Sequence, residues 1–200
     1  MKIKNIITWI FFCGFGIYAQ PVVEHSPLFP SLDKPIVITF YADRGSKGLS
    51  GHNGDVYAHT GVITDKSTRP SDWKYVKTSW GQNTNSTKLT RIASNEYQFI
   101  INDIREYYGV PSSERIIKLA FVFRSADTSK EGKDSGGEDI FISLYENSIN
   151  LALISPKLSD IEPFIVNQDT VVAIKAKAVT VGSSISSITL SVNGSNVKSS

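Results

Sequence analysis

Side chains that carry aromatic or imidazole rings recur at short intervals in one stretch of the chain. They are Tyr57, His59, Trp73, Tyr75 and Trp80. Residues two apart on a β-strand project from the same face, so Tyr57 and His59 share a face of one predicted strand. By the same rule, Trp73 and Tyr75 share a face of the next. If the two strands are neighbours, the rings form a platform that suits the apolar C–H faces of a sugar, and these five are candidate carbohydrate-binding residues.

Polar side chains accompany this group and could donate hydrogen bonds to sugar hydroxyls. They are Lys74, Lys77, Gln82 and Asn83. An opposing interpretation places Tyr57, Trp73 and Tyr75 in the core, as is usual for aromatic residues of β domains. The protein would then be a structural or protein-interaction β-sandwich with no glycan site. The spacing of these residues leaves both interpretations open.

The sequence predicts no catalytic residues. Beyond residue 19 the chain has His25, His52 and His59 as its only histidines and has no cysteine. It contains no Gly-x-Ser-x-Gly or His-Glu-x-x-His motif and no glycine loop ending in Gly-Lys-Ser/Thr. Adjacent acids such as Glu138 and Asp139 point to opposite faces of a strand, so they cannot flank one bond as glycosidase carboxylates do. We therefore expect that this chain is not an enzyme.

Four glycines follow one another at a spacing of three residues, at positions 45, 48, 51 and 54. Repeated glycine permits positive φ and close approach of the backbone, which suits a tight connection between strands. The alternative is a calcium site in which loop carbonyl oxygens join Asp43 and Asp55. Most glycine runs are turns, and Asp127 and Asp134 are also typical of solvated loops. We therefore predict no metal-binding residue and no cofactor, with calcium as the alternative.

Residues 1–19 are typical of a Sec signal peptide. Two lysines precede a mainly apolar run that ends at Tyr18, and Ala19 stands before the expected cleavage site. The apolar run is shorter than the roughly 20 residues that span a bilayer, so we expect a secreted protein without membrane insertion after cleavage. Cleavage reduces 21 Lys and Arg residues to 19, which equals the 19 Asp and Glu residues. A neutral chain has no electrostatic footprint for nucleic acid.

The rest of the chain is predicted to be all-β. Short runs of β-branched and aromatic residues are separated by clusters of Gly, Asn, Asp and Ser, which is typical of an antiparallel β-sandwich. The predicted strands are residues 35–41, 55–63, 73–77, 97–101, 115–124 and 138–145. Residues 20–34 form an extended leader, 35–147 form the sandwich domain, and 102–110 contain its one helical turn. Alternation in the fifth strand directs one set of side chains to the core, namely Ile117, Leu119, Phe121 and Phe123.

A second β unit is predicted over residues 150–200. Its strands are residues 151–156, 170–177 and 188–192, and Asn193-Gly194 is a hairpin signal. About four strands leave a sandwich unclosed with an exposed edge, so we interpret the unit as a partial second β-sandwich domain and the chain as the N-terminal piece of a longer protein. A small β appendage is the alternative. We expect a monomer.

Several motifs between residues 47 and 141 have counterparts in a known family. They are Lys47-Gly-Leu-Ser-Gly-His-Asn-Gly-Asp-Val-Tyr-Ala-His-Thr-Gly-Val-Ile-Thr64, Asp72-Trp-Lys-Tyr-Val-Lys77, Trp80-Gly-Gln-Asn83, Leu119-Ala-Phe-Val-Phe-Arg-Ser-Ala-Asp127 and Gly137-Glu-Asp-Ile-Phe141. Together they resemble the N-terminal module of secreted Bacteroidetes proteins of the α-amylase family, glycoside hydrolase family 13. Val-Tyr-x-His with a downstream Trp is also similar to starch-binding modules of carbohydrate-binding families 25 and 26. The second unit resembles the Ig-like domain that follows in such proteins.

The resemblance implies a starch-binding or other α-glucan-binding module that acts in polysaccharide metabolism. In the similar modules a Tyr or His and a Trp stack on the glucan, which implies Tyr57, His59 and Trp73 here, with Trp80 as a further candidate. The implied partner is an α-glucan polysaccharide or oligosaccharide, held near a catalytic domain. None of the motifs of the catalytic barrel appears in this chain, so the resemblance does not imply enzymatic activity.

Overall fold

The computed structural model describes residues 20–146, 149–156, 166, 168, 171–180, 184–192 and 194–199. The predicted signal peptide, residues 1–19, lies outside these ranges. No helix within them is long and apolar enough to cross a membrane.

Strands dominate the described residues, and the helical content is small. The strands are β1 (Val23–Ser26), β2 (Ile36–Tyr41), β3 (Val56–Thr64), β4 (Thr90–Ala93), β5 (Glu96–Ile101), β6 (Ile116–Ser125), β7 (Glu131–Gly132), β8 (Ile140–Ser143), β9 (Asn150–Ser155), β10 (Lys175–Val179), β11 (Thr189–Val192) and β12 (Ser195–Ser199). One α-helix, α1 (Ile104–Tyr108), lies between β5 and β6, and the turns Asn85–Thr87 and Ser135–Gly137 are 3₁₀.

The first eight strands form two antiparallel sheets. One sheet has the order β1-β2-β5-β4. In the other, β6 is central and pairs with β3 along one edge and with β7 and β8 along the opposite edge. The predicted all-β sandwich is confirmed.

The core lies between these two sheets and is rich in aromatic residues. Phe40 of β2 lies with its ring centroid 4.3 Å from that of Phe123 on β6. Phe99 of β5 meets Phe121 of β6 edge to face at 6.3 Å. Alternation along β6 directs Leu119, Phe121 and Phe123 into the core, as predicted, because successive side chains point to opposite faces. The prediction for Ile117 is wrong: Ile116 belongs to the core instead, because the β3–β6 register shifts at this end of the strand.

Helix α1 falls within the predicted helical turn. It begins after Asp103, whose side chain accepts a hydrogen bond from the Glu106 backbone N–H at 2.8 Å. It ends at Gly109, whose left-handed φ of 71° lets its N–H bond to two carbonyls of the last turn. Capping at both ends therefore confines this helix to little more than one turn.

The glycine loop connects β2 to β3 and packs closely against β7. A Cβ atom on Gly45 would lie 2.3 Å from the Lys133 carbonyl oxygen, and one on Gly48 would lie 2.1 Å from that of Glu131. The Ser46 N–H bonds to the same Lys133 carbonyl at 3.0 Å. These contacts account for two of the four glycines as sites of close backbone approach. No group of three metal-ligating side chains lies together in the described part of the chain.

Three details differ from the strand prediction. The leader contains β1, which pairs with β2, and the loops around the predicted strands contain the short β4 and β7. Residues 73–77 do not form a strand, because Tyr75 has a left-handed φ of 51° that interrupts the extended backbone. A single bridge between Lys74 and Val62 remains.

The second unit contains two antiparallel pairs among its described residues. Strand β9 pairs with β10, and β11 pairs with β12. Gly194, with φ of 79°, lies in the connection between β11 and β12, which pair as the predicted hairpin requires, while Asn193 lies outside the described residues.

Candidate functional site

The candidate site lies on the face of β3, β6 and β8 that points away from the core. On this face His59 pairs with Val122, and Gly61 pairs with Ala120, which in turn pairs with Phe141. Ala120 and Val122 are buried although they do not belong to the main core cluster, so this face of the sheet is covered.

The segment that covers this face is residues 73–77, which runs along the free edge of β3. The N–H of Lys74 donates to the Val62 carbonyl at 2.8 Å, and the N–H of Val62 donates to the Lys74 carbonyl at 2.9 Å. A Cβ atom on Gly61 would lie 2.9 Å from the Lys74 carbonyl oxygen and 3.4 Å from Cβ of Trp73. Glycine at position 61 therefore lets the segment approach and brings Trp73 over the sheet.

Four rings contact one another in a row, which we call the aromatic strip: Trp80, His59, Trp73 and Phe141. The His59 ring stacks on Trp73, with centroids 5.7 Å apart and an interplanar angle of 27°. Trp80 contacts the same His59 ring edge to face, with centroids 5.1 Å apart. Trp73 meets Phe141 edge to face at 6.4 Å. The strip thus combines residues from β3, β8 and the connection between β3 and β4.

The strip is partly open to solvent. The Trp80 side chain is 46% exposed, whereas His59, Trp73 and Phe141 are partly buried. His59 Nδ1 and Trp73 Nε1 are buried atoms without a hydrogen-bond partner among the described residues. The part of the strip that a ligand can reach is therefore the Trp80 ring, while the two unpaired polar atoms lie beneath the surface.

The electrostatics of the strip favour a neutral imidazole. Burial lowers the pKa of His59 from its ordinary value of 6.5, and the positive charge of Arg124 lowers it further. Asp139 acts in the opposite direction and is the smallest of the three influences. At neutral pH the His59 ring is therefore uncharged and can act as a flat, weakly polar surface.

Two of the five predicted binding residues lie apart from the strip. Tyr57 shares the outer face of β3 with His59 but is only 9% exposed, and the Arg124 guanidinium lies 5.5 Å from its ring centroid. Tyr75 packs against the main core, and its hydroxyl donates to Glu114 at 2.7 Å. The left-handed backbone at Tyr75 separates its direction from that of Trp73, so the expected shared face does not form.

The polar residues predicted to serve sugar hydroxyls already have protein partners. Lys74 forms an ion pair with Asp72 at 2.8 Å, and Lys77 Nζ donates to the Tyr107 carbonyl. Gln82 Oε1 accepts from the Ser79 N–H, and Asn83 bonds to Arg124 and to the Ala126 carbonyl. These groups shape the loops around the strip rather than project from it.

Sequence reasoning missed Phe141 and Arg124. Phe141 could have been found from alternation in β8, because Ile140 and Ile142 face the core and leave Phe141 on the outer face. The position of Arg124 on the outer face follows from the same rule applied to β6. Its complete burial, with 0% exposure, depends on a loop that is distant in sequence and left no signal.

Comparison with models of known protein families and with characterised proteins finds no match to this chain.

Proposed function

We propose that residues 35–147 form a non-catalytic carbohydrate-binding module of a secreted glycan-degrading protein, and that its ligand is starch or a related α-glucan. The observation that supports this proposal most directly is the contact of His59 with both Trp73 and Trp80 on the outer face of a sheet, with Trp80 46% exposed. Flat rings at a surface suit the C–H faces of pyranose units.

The contacts suggest a division of roles within the strip. Trp80 offers the most accessible ring, His59 contacts it edge to face, and Trp73 stacks on His59. His59 Nδ1 and Trp73 Nε1 are buried, so the accessible ring of Trp80 rather than these two atoms would make the first contact with the ligand. Stacking with few hydrogen bonds gives weak affinity at one site, which increases when several sites engage one polymer.

The identity of the ligand class rests on the sequence resemblance to α-amylase-family proteins and starch-binding modules. The flat rings of the strip support a sugar ring as the ligand unit.

A second candidate function is a structural or protein-interaction sandwich. The burial of Tyr57 and the packing of Tyr75 against the core favour it, because two of the five predicted rings serve the fold. Under this alternative the strip would cover the outer face of the sheet without binding a glycan.

Binding to amylopectin in an affinity gel distinguishes the two functions. We expect the secreted chain, from Gln20 onward, to be retarded, and Trp80→Ala to weaken binding about ten-fold because the most exposed aromatic contact is lost. Ile92→Ala, at an exposed position on β4 of the opposite sheet, is the matched control and should bind normally. Unchanged mobility of the parent, or retardation that survives Trp80→Ala and His59→Ala, would favour the second function.

Tryptophan fluorescence provides an independent measurement. The chain has three tryptophans, and the one outside the strip, Trp9, belongs to the predicted signal peptide. Both tryptophans of the secreted chain therefore report on the strip. A shift in their emission on titration with malto-oligosaccharides, and none with an unrelated β-linked glucan, would support an α-glucan ligand.

A further inference from the structure

Arg124 is a buried cation on the outer face of β6. Its side chain is 0% exposed, and no carboxylate forms an ion pair with it among the described residues. An unpaired buried charge is costly unless hydrogen bonds and ring contacts replace its water. The groups that surround Arg124 therefore indicate what it does.

Most of these groups belong to the loop that presents Trp80. Arg124 Nη2 donates to the Gln82 carbonyl at 2.7 Å, and Nη1 donates to Asn83 Oδ1 at 2.8 Å. A third bond, from Nη1 to the Ser125 carbonyl at 3.1 Å, stays within β6. Two of the three bonds thus hold residues that lie just after Trp80.

The guanidinium also lies between two rings. Its central carbon is 5.5 Å from the centroid of Tyr57 and 5.9 Å from that of Trp80. A planar guanidinium interacts favourably with aromatic rings and is more weakly hydrated than an ammonium group, so it suits this buried position better than lysine would.

The Trp80 loop needs such an anchor. Gly81 has a left-handed φ of 83°, and the turn from Ser79 to Gln82 is closed by bonds within the loop itself. Those internal bonds fix the shape of the turn but not its orientation on the sheet. One further hydrogen bond holds the loop, from the Asn83 side-chain amide to the Ala126 carbonyl at 3.1 Å.

We infer that Arg124 is a positioning residue that fixes the Trp80 loop on the sheet and so sets the orientation of the exposed indole against His59. Arg124 acts through Trp80 and does not contact the ligand, because its side chain is fully buried. The consequence for glycan binding rests on the proposed function, whereas the placement of Trp80 does not.

The first test measures Trp80 without any ligand. In the secreted chain carrying Trp73→Phe, Trp80 is the only tryptophan, and acrylamide quenching of its fluorescence reports its environment. We expect Arg124→Met to change the quenching constant and to lower the fluorescence anisotropy of Trp80, because the loop loses two of its hydrogen bonds. Arg124→Lys, which keeps the charge but not the planar fork, should restore part of the parent value.

Two controls separate positioning from general loss of structure. In a Trp80→Phe background, where Trp73 is the only tryptophan, Arg124→Met should leave quenching unchanged. Arg44→Met removes a guanidinium that lies 3.4 Å from the ring of Tyr41 on the opposite sheet, and it should leave Trp80 unaffected. If Arg124→Met does not fold, the same quenching and anisotropy measurements are made on Asn83→Ala. Asn83 is exposed and its side chain accepts one of the hydrogen bonds that Arg124 donates to the loop.

The second test measures affinity with both tryptophans present. We expect Arg124→Met to weaken binding of malto-oligosaccharides about three- to ten-fold, since the ligand must then order the loop. If the parent binds no glycan but Trp80 still responds to Arg124→Met, the positioning role stands and the proposed function fails. A folded Arg124→Met or Asn83→Ala variant in which Trp80 keeps its quenching and anisotropy overturns the inference.

Discussion

His59 and Trp73 stack on each other although one belongs to β3 and the other to the segment that runs along its edge, with ring centroids 5.7 Å apart. The contact arises because Gly61 lets residues 73–76 cross close to the strand. The stacked pair therefore depends on backbone geometry two residues away from His59 as well as on the rings themselves.

We expect this pair to contribute to stability as well as to the candidate site. A double-mutant cycle with His59→Ala and Trp73→Ala should give a coupling free energy of about 0.5–1.5 kcal/mol, the range for packed aromatic pairs. Urea denaturation of the parent, the two single variants and the double variant measures it. Strictly additive effects would mean that the rings are adjacent without stabilising each other.

The lowered pKa of His59 makes stability depend on pH. Because the folded state disfavours the charged imidazole, the unfolded chain binds more protons below its ordinary pKa of 6.5. The contribution of His59 to the free energy of unfolding is complete above pH 6.5, and it is lost as the pH falls through the lower pKa of His59 in the folded state. Urea melts between pH 7.5 and roughly 5 should therefore show the free energy of unfolding decreasing toward acid.

His59→Gln should flatten this part of the pH profile, because glutamine does not titrate. His25→Gln, on the edge strand of the opposite sheet, serves as the control and should retain the decrease that His59 causes. A His59→Gln profile that still parallels the parent would assign the acid sensitivity to other groups.

Phe141 should influence the length of ligand that the strip accommodates. It lies at the opposite end of the strip from Trp80, in contact with Trp73 at 6.4 Å. We expect Phe141→Ala to weaken binding of long malto-oligosaccharides about three-fold and to affect short ones less. Calorimetric titrations over a series of chain lengths measure this difference, with Ile100→Ala on the outer face of β5 as the control. No loss at any length would limit the ligand to the Trp80 end, and an equal loss at every length would mean that Phe141 acts by supporting Trp73 rather than by contacting long ligands.

Gly48 should be intolerant of any side chain. Its Cβ would lie 2.1 Å from the Glu131 carbonyl oxygen, which is backbone and can move only with β7. We expect Gly48→Ala to lower the free energy of unfolding by about 1–3 kcal/mol. Gly51 has φ of 70° and open space around it, so Gly51→Ala should cost only the backbone strain, about 1 kcal/mol. Thermal or urea melts that rank the two variants in the reverse order would contradict the close packing of this loop.

The sandwich could be predicted from sequence because its central strands follow a strict alternation. In β6, Leu119, Phe121 and Phe123 face the core while Lys118 and Ala120 face away, which is the pattern the residues predict. Strand β1 could not be found in this way, because it is an edge strand defined by pairing with β2 rather than by its own four residues.

The candidate site was less predictable, since it depends on contacts between distant segments. The sequence placed His59, Trp73 and Trp80 among the candidates, but the direction of Tyr75 depends on its left-handed φ, which a non-glycine residue seldom adopts. The burial of Tyr57 and Arg124 depends on loops that close over the outer face. Alternation assigns a residue to a face of a sheet, but it does not say what covers that face.

The segment that places Trp73 has a further consequence for solubility. The edge of β3 opposite β6 is occupied by backbone bonds from Lys74 and Lys77 to Val62 and Thr60, and Leu89 bonds to Val56 at the start of the strand. An unpaired edge of a nine-residue strand would invite pairing with other chains, and such edges promote aggregation. The segments that occupy this edge are irregular and cannot pair with a further strand, so the sheet ends at them. Changes that loosen residues 73–77 should therefore promote self-association, whatever they do to a ligand.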